Sequence, residues 1–182
     1  MILTLMDSNI AKILTVFSLS PGTKFRRKEL KEKTKLNNIN LDKSIAVLQN
    51  SKTILKENNY LKLNLDDTTK SLIELVKKEY KVFNEIQLNV FFSILDLIHR
   101  VCTFKDVDVY LFGSYSKLTF NEDSDIDLAI ASEKNLQFLE KVALKIEKRY
   151  KTNIQLHYFD KNFKKHREDP LVREIINGTK II

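Results

Sequence analysis

A chain of 182 residues, 43% of them hydrophobic, is long enough for one large or two small domains and can close a core, which excludes disorder throughout. Three Gly, two Pro and no Trp exclude a turn-dense all-β protein and favour long helices joined by few strands. The formal charge is +7: residues 1–67 carry 12 Lys/Arg against 7 Asp/Glu and the remainder 19 against 17, so the basic excess that favours polyanionic partners lies in the first third.

The single cysteine, Cys102, excludes an intramolecular disulfide, suits a reducing interior and reads as a small core residue. No run approaches the roughly 20 apolar residues of a membrane span. The apolar start Met1–Asp7 is too short and lacks the basic region of a signal peptide. A cytoplasmic protein without a membrane partner is the expectation.

In chain order, Ile10, Ile13, Leu14 and Phe17 predict an amphipathic helix over 8–19, ended by Pro21-Gly22. A short basic helix follows over 26–34 with Leu30 inward, then a turn at Asn37-Asn38. A third helix over about 40–51 has Leu41, Ile45 and Leu48 on one face. Two β-prone runs flank Asn58-Asn59 and predict a hairpin. Three helices and a hairpin in this order resemble a winged helix-turn-helix, assigned to residues 1–67. Lys24, Arg26, Arg27, Lys28 and Lys43 are its candidate contacts to a DNA backbone, with Ser44, Gln49 and Asn50 as further polar candidates on the third helix.

Residues 68–100 lack Gly and Pro and predict one long helix or two consecutive ones, with an N-cap in Asp66-Asp67-Thr68-Thr69. Residues 68–103 are therefore assigned as a linking segment. From there the pattern alternates: strand 107–112, short helix 114–118, strand 126–131, helix 135–150, strand 154–159 and a closing helix 170–177. The fold class is α/β (α+β): a small mixed-sheet domain, 104–182, behind a mostly helical one. The basic run 161–167 reads as a solvated face.

Chemistry concentrates between two of these strands. A buried strand ends in Gly113, where the missing Cβ lets another group come close. Ser114 then opens a helix, whose N–H groups suit a phosphate, and Lys117 adds a compact positive charge. Ten residues on, Asp125 and Asp127 flank Ile126; residues two apart on a strand point the same way with Cα atoms roughly 6.5 Å apart. Two carboxylates so placed can share one hard divalent cation, Mg²⁺ or Mn²⁺, and apolar neighbours make an unpaired charge there costly.

Gly113-Ser114…Ser124-Asp125-Ile126-Asp127-Leu128 resembles the signature of the polymerase-β-like nucleotidyltransferase superfamily, in particular its minimal (MNT) members. The resemblance implies that Gly113 and Ser114 hold a nucleoside triphosphate, that Asp125 and Asp127 bind the catalytic metals, and that Lys117 is the basic residue often found after the Gly-Ser. It implies transfer of AMP from ATP to an acceptor hydroxyl. The acceptor by resemblance is a separate HEPN-type protein, as for MNT antitoxins. The sequence departs from the pattern at the next strand, where Gln155 stands in place of the family's third aspartate and His157 shares its face. Gln cannot act as a base, and the pair reads as a polar couple bonded across the site. The alternative reading is a DNA-binding transcriptional regulator with a catalytically weak, nucleotide-sensing domain. A homo-oligomer is compatible with either.

Overall fold

The computed structural model describes residues 6–83 and 86–182, so the apolar start at residues 1–5 lies outside the described residues. The chain divides into two compact units, Ile2–Leu88 and Asn89–Ile182.

The first unit is organised around α1 (Ser8–Leu19). Asp7 caps it by accepting from the N–H groups of Asn9 and Ile10 at 2.9 and 3.1 Å. The predicted stripe is inside, with Ile13, Leu14 and Phe17 wholly buried. Two hydroxyls buried alongside return their hydrogen bonds to the helix itself: Thr15 donates to the Ala11 carbonyl and Ser18 to that of Thr15. Helices α2 (Arg27–Thr34) and α3 (Asn38–Asn50) pack on α1. Asn37 is the N-cap of α3, accepting from Asn40 N–H at 2.8 Å, so this helix starts two residues earlier than its hydrophobic pattern announces.

The hairpin forms as expected. Strands β2 (Ile54–Glu57) and β3 (Tyr60–Leu63) are antiparallel and meet at the Glu57–Tyr60 pair, with Asn58 at φ 54°. A strand of two residues, β1 (Phe25–Arg26), adds to the outer side of β3 to give the order β1-β3-β2. The 68–100 segment is two helices, α4 (Asp67–Val82) and α5 (Leu88–Val101), with Asp66 capping α4 through Thr69 N–H at 2.8 Å. Helix α4 packs on α1, and α5 from its second residue falls in the second unit.

The second unit is a four-stranded mixed sheet of order β6-β5-β4-β7, built from β4 (Asp108–Phe112), β5 (Ile126–Ala131), β6 (Ile154–Phe159) and β7 (Thr179–Lys180). Strand β5 runs antiparallel to β4 and parallel to β6, the parallel step being made through α7 (Leu139–Tyr150). Helices α5 and α7 are tied together by polar contacts. The Tyr150 hydroxyl donates to Asp96 at 2.8 Å, Arg149 pairs with the same carboxylate at 3.1 Å, and Ser93 meets Thr152 at 2.9 Å. One sheet face is covered by α8 (Pro170–Ile176) and a 3₁₀ turn at Phe163–Lys165, over a cluster of Tyr110, Phe112, Ala129, Ala131, Val172 and Ile175. This is the mixed α/β architecture that the alternation of elements indicates.

Cys102 corrects one expectation: it is exposed, one position beyond the fully packed Val101 that ends α5. No helix among the described residues is long and apolar enough to cross a membrane.

Candidate functional site

The centre of the sheet carries the candidate site. Strand β5 is inside on both faces except at Asp127, which is part-buried. Its neighbours across the sheet are Phe112 on β4 and Gln155 on β6. The chain leaves β4 at Gly113 with φ +69°, a conformation that costs an L-residue about 1–2 kcal/mol. A Cβ built on Gly113 would stand 2.1 Å from Asp127 Oδ2 and 2.9 Å from its Cγ. The glycine is therefore required twice, once for its backbone angle and once because the Asp127 carboxylate occupies the space a side chain would need.

Asp125 immediately precedes β5 rather than lying on it. The two carboxylates are nevertheless brought together, since the charge of Asp125 acts on Asp127. Asp127 is pushed above the usual carboxylate range, first by burial, then by the charges of Asp125 and Glu174, with His157 acting in the opposite sense. No protein group among the described residues donates a hydrogen bond to Asp127, and no cation salt-bridges it. Asp125 has one neutral partner, the Gln155 side-chain amide, which donates to its Oδ2. Of the two residues expected to form a polar pair at the third position, Gln155 bonds across the site to Asp125. His157 instead stacks edge-on against Phe112, ring centroids 5.3 Å apart.

Helix α6 (Gly113–Lys117) follows the glycine without a side-chain cap at its N-terminus. Leu118 ends it in the left-handed region, and the Ser114 carbonyl accepts from both Leu118 and Thr119. Tyr115 is buried and stacks on Phe120 at 4.6 Å, which fixes the start of the return loop. The loop is closed further by Asn121, whose N–H donates to Ser124 Oγ and whose Oδ1 accepts from Asp123 N–H. Residues 115–124 therefore return the chain to Asp125 by bonds internal to the loop.

Beside Gly113 opens a cleft of about 310 Å³. One wall is Ser116 and Lys117 of α6; the other is Arg173, Glu174, Asn177 and Gly178 at α8 and just beyond it. Lys117 lines this cleft as the sequence suggests, but it is paired with Glu174 at 2.5 Å. Ser116 and the whole α8 wall were not foreseen. The signal that could have found them is Gly178: a Cβ there would meet the Leu111 carbonyl at 2.4 Å, so the turn after α8 is pressed against β4. Two of the three glycines of the chain meet at this one cleft.

The donor set fits a hard divalent cation. It offers carboxylate oxygens in a part-buried setting where the charge of Asp125 acts against that of Asp127 and only His157 acts in the opposite sense. It holds two acidic groups rather than three, and no cluster of three or more His, Cys, Asp or Glu suited to a metal occurs among the described residues.

The basic residues of the first unit present a different picture. Lys24 pairs with Glu57 at 2.9 Å, and Lys62 joins the same carboxylate at 2.7 Å. Arg27 makes a two-pronged contact with Asp42 at 2.6 and 2.9 Å, Arg26 bonds the Tyr60 hydroxyl, and Lys28 lies 3.9 Å from Glu32. Of the five candidate DNA contacts, Arg26 and Lys43 have no ion pair among the described residues. The outward face of α3 shows Ile39, Ala46 and Val47 beside Asn38, Asp42, Lys43 and Asn50, with Gln49 half-buried, whereas Ser44 is buried and is no candidate for a base edge.

Residues 96–182 match the model of the family described as Polymerase beta, Nucleotidyltransferase. The match covers Gly113, Ser114, Asp125, Asp127 and Gln155, and supports the polymerase-β-like superfamily for this half of the chain. No curated protein and no solved structure matches the chain.

Proposed function

We propose that the second unit is a nucleotidyltransferase that takes ATP with Mg²⁺ or Mn²⁺ and transfers AMP to an acceptor hydroxyl. The observation that carries this is Asp127: a part-buried carboxylate raised by burial and by its acidic neighbours, in no ion pair among the described residues, and packed against a glycine that leaves it room. The family match to residues 96–182 supports nucleotidyl transfer in general. Asp125 and Asp127 would hold the cation, which when bound supplies charge neutralisation at the transferring phosphoryl oxygens. Gly113 lets the chain turn at the carboxylates, and Gln155 orients Asp125 through its amide. Ser114 and Lys117 lie on the helix beside them, as binders of the phosphate chain.

Gln155 also limits the chemistry. Its amide donates and cannot take a proton, so an acceptor hydroxyl must be activated without the third carboxylate. This supports a second reading, in which the same site binds nucleotide as a signal and transfers slowly. The first unit is compatible with both: its order of helix, strand, two helices and a hairpin, with sheet order β1-β3-β2, supports reading it as a winged helix. A separate HEPN-type protein as acceptor, DNA as ligand of the winged helix, a minimal-type subfamily and cytoplasmic residence remain parts of this proposal.

The test is ATP binding with and without Mg²⁺, followed by transfer of labelled nucleotide to candidate acceptors, for the wild type and Asp125→Ala/Asp127→Ala. Cation-dependent binding lost in the variant is the expected result. Binding with no transfer selects the sensing reading, and equal behaviour of the two proteins rejects both. Duplex-DNA titration over a salt series tests the winged helix, since backbone contacts weaken steeply with salt.

A further inference from the structure

We propose that α8 forms the far wall of the nucleotide cleft, with Arg173 as the cation that receives the triphosphate tail. This rests on the reading of the site given above and assigns to it a binding residue outside the Gly-Ser…Asp-x-Asp motif. The expected cation, Lys117, already has a partner, because Glu174 holds its ammonium at 2.5 Å across the cleft. The next cation in the same cleft is Arg173. Its one described bond is a long contact of 3.4 Å from Nη2 to the Arg167 carbonyl, and no acid pairs with it among the described residues. Most of its five N–H donors are thus available to an anion, in a planar fork that matches phosphate oxygens.

The fold aims this side chain. Val172 and Ile175 bury one face of α8 in the core, which turns Arg173, Glu174 and Asn177 towards the cleft. Gly178 then presses the following turn onto β4, fixing α8 over the exit of the strand that ends at Gly113. Arg173 and Asn177 also border a second hollow of about 190 Å³ with Arg167, which brings a second arginine to the same side of α8. Glu174 has a complementary part: it neutralises Lys117 while the cleft lacks an anion and adds to the negative charge felt by Asp127. An arriving triphosphate displaces it from Lys117.

The experiment measures the affinity of the full chain for ATP, AMP and inorganic tripolyphosphate in the presence of Mg²⁺. Arg173→Ala should weaken ATP and tripolyphosphate about tenfold or more, as loss of one charge-assisted contact of about 1.4 kcal/mol or more does, and leave AMP unchanged. Lys117→Ala should cost less than Arg173→Ala, and Glu174→Gln should tighten ATP by freeing Lys117. Arg173→Lys should restore part of the loss, and an unchanged thermal midpoint shows that the fold is intact. Wild-type ATP affinity in Arg173→Ala, or an equal loss for ATP and AMP, overturns the proposal while leaving the site reading intact. A wild-type chain that fails to bind ATP overturns the site reading, and this proposal with it.

Discussion

The two units of this protein handle charge in opposite ways. In the first, cations are answered by nearby acids: Arg27 by Asp42, and Lys24 and Lys62 by Glu57, all at the surface. In the second, Asp127 is part-buried beside two like charges, with only His157 acting to relieve it. The basic composition of the first third of the chain pointed to an anion-binding surface there, whereas the structure ties part of that charge, at Lys24, Arg27, Lys28 and Lys62, into ion pairs. Net charge counts residues; a binding site is where charge is left over.

The sharpest way to break this contrast is to remove the acids of each unit in turn. Asp125→Ala/Asp127→Ala should reduce cation-dependent ATP affinity about 100-fold or more, equivalent to about 2.7 kcal/mol, whereas Asp42→Ala leaves it unchanged. Titration calorimetry on both proteins reads the difference, and equal losses would erase the distinction between the units. Restoring an acid at the third position comes next. Gln155→Asp should raise transfer about tenfold, short of the 10²–10⁴ of a well-placed base, because the new carboxylate also repels Asp125. Labelled-nucleotide transfer over a pH series shows the gain as a new acidic limb.

Gly113→Ala separates fold from site. The positive φ costs about 1–2 kcal/mol in stability by denaturant titration. The added methyl displaces the Asp127 carboxylate, so ATP affinity should fall further than the stability loss explains.

The smallest effect is in the pH dependence of stability, and here the two units differ in sign. Glu57 is held down to about 2 by Lys62 and Lys24, so its contribution is favourable above the ordinary carboxylate range and is lost as pH falls towards 2. Asp127 is raised, so its ionised form opposes folding at neutral pH, and that opposition fades as pH falls through the raised value into the ordinary carboxylate range. Metal-free Asp127→Asn should therefore be more stable than the wild type at pH 7, with the gap closing in acid. Glu57→Gln should be less stable at pH 7, its gap closing lower down. Chemical denaturation at stepped pH distinguishes the two.

Much of this was legible in the residues. Helix α1, the hairpin at Asn58-Asn59 and strands β4 to β6 follow from local period and turn chemistry, which need no distant partner. Strands β1 and β7 have two residues each and no period to read; each is strand only because another strand accepts it. The split of the 68–100 segment carried no Gly or Pro to announce it.

The sequence by itself determined which residues make up the central motif, since Gly113, Asp125 and Asp127 and the spacing between them are read directly from it. It also determined that position 155 carries no charge, because Gln155 is neutral wherever it lies. Tertiary structure alone decided which charges remain unanswered. Whether Lys117 is free, whether Arg27 faces an anion or its own Asp42, and whether Arg173 reaches the cleft depend on residues 15 or more positions away. Coulomb attraction acts through space rather than along the chain, so only the folded arrangement fixes those partners.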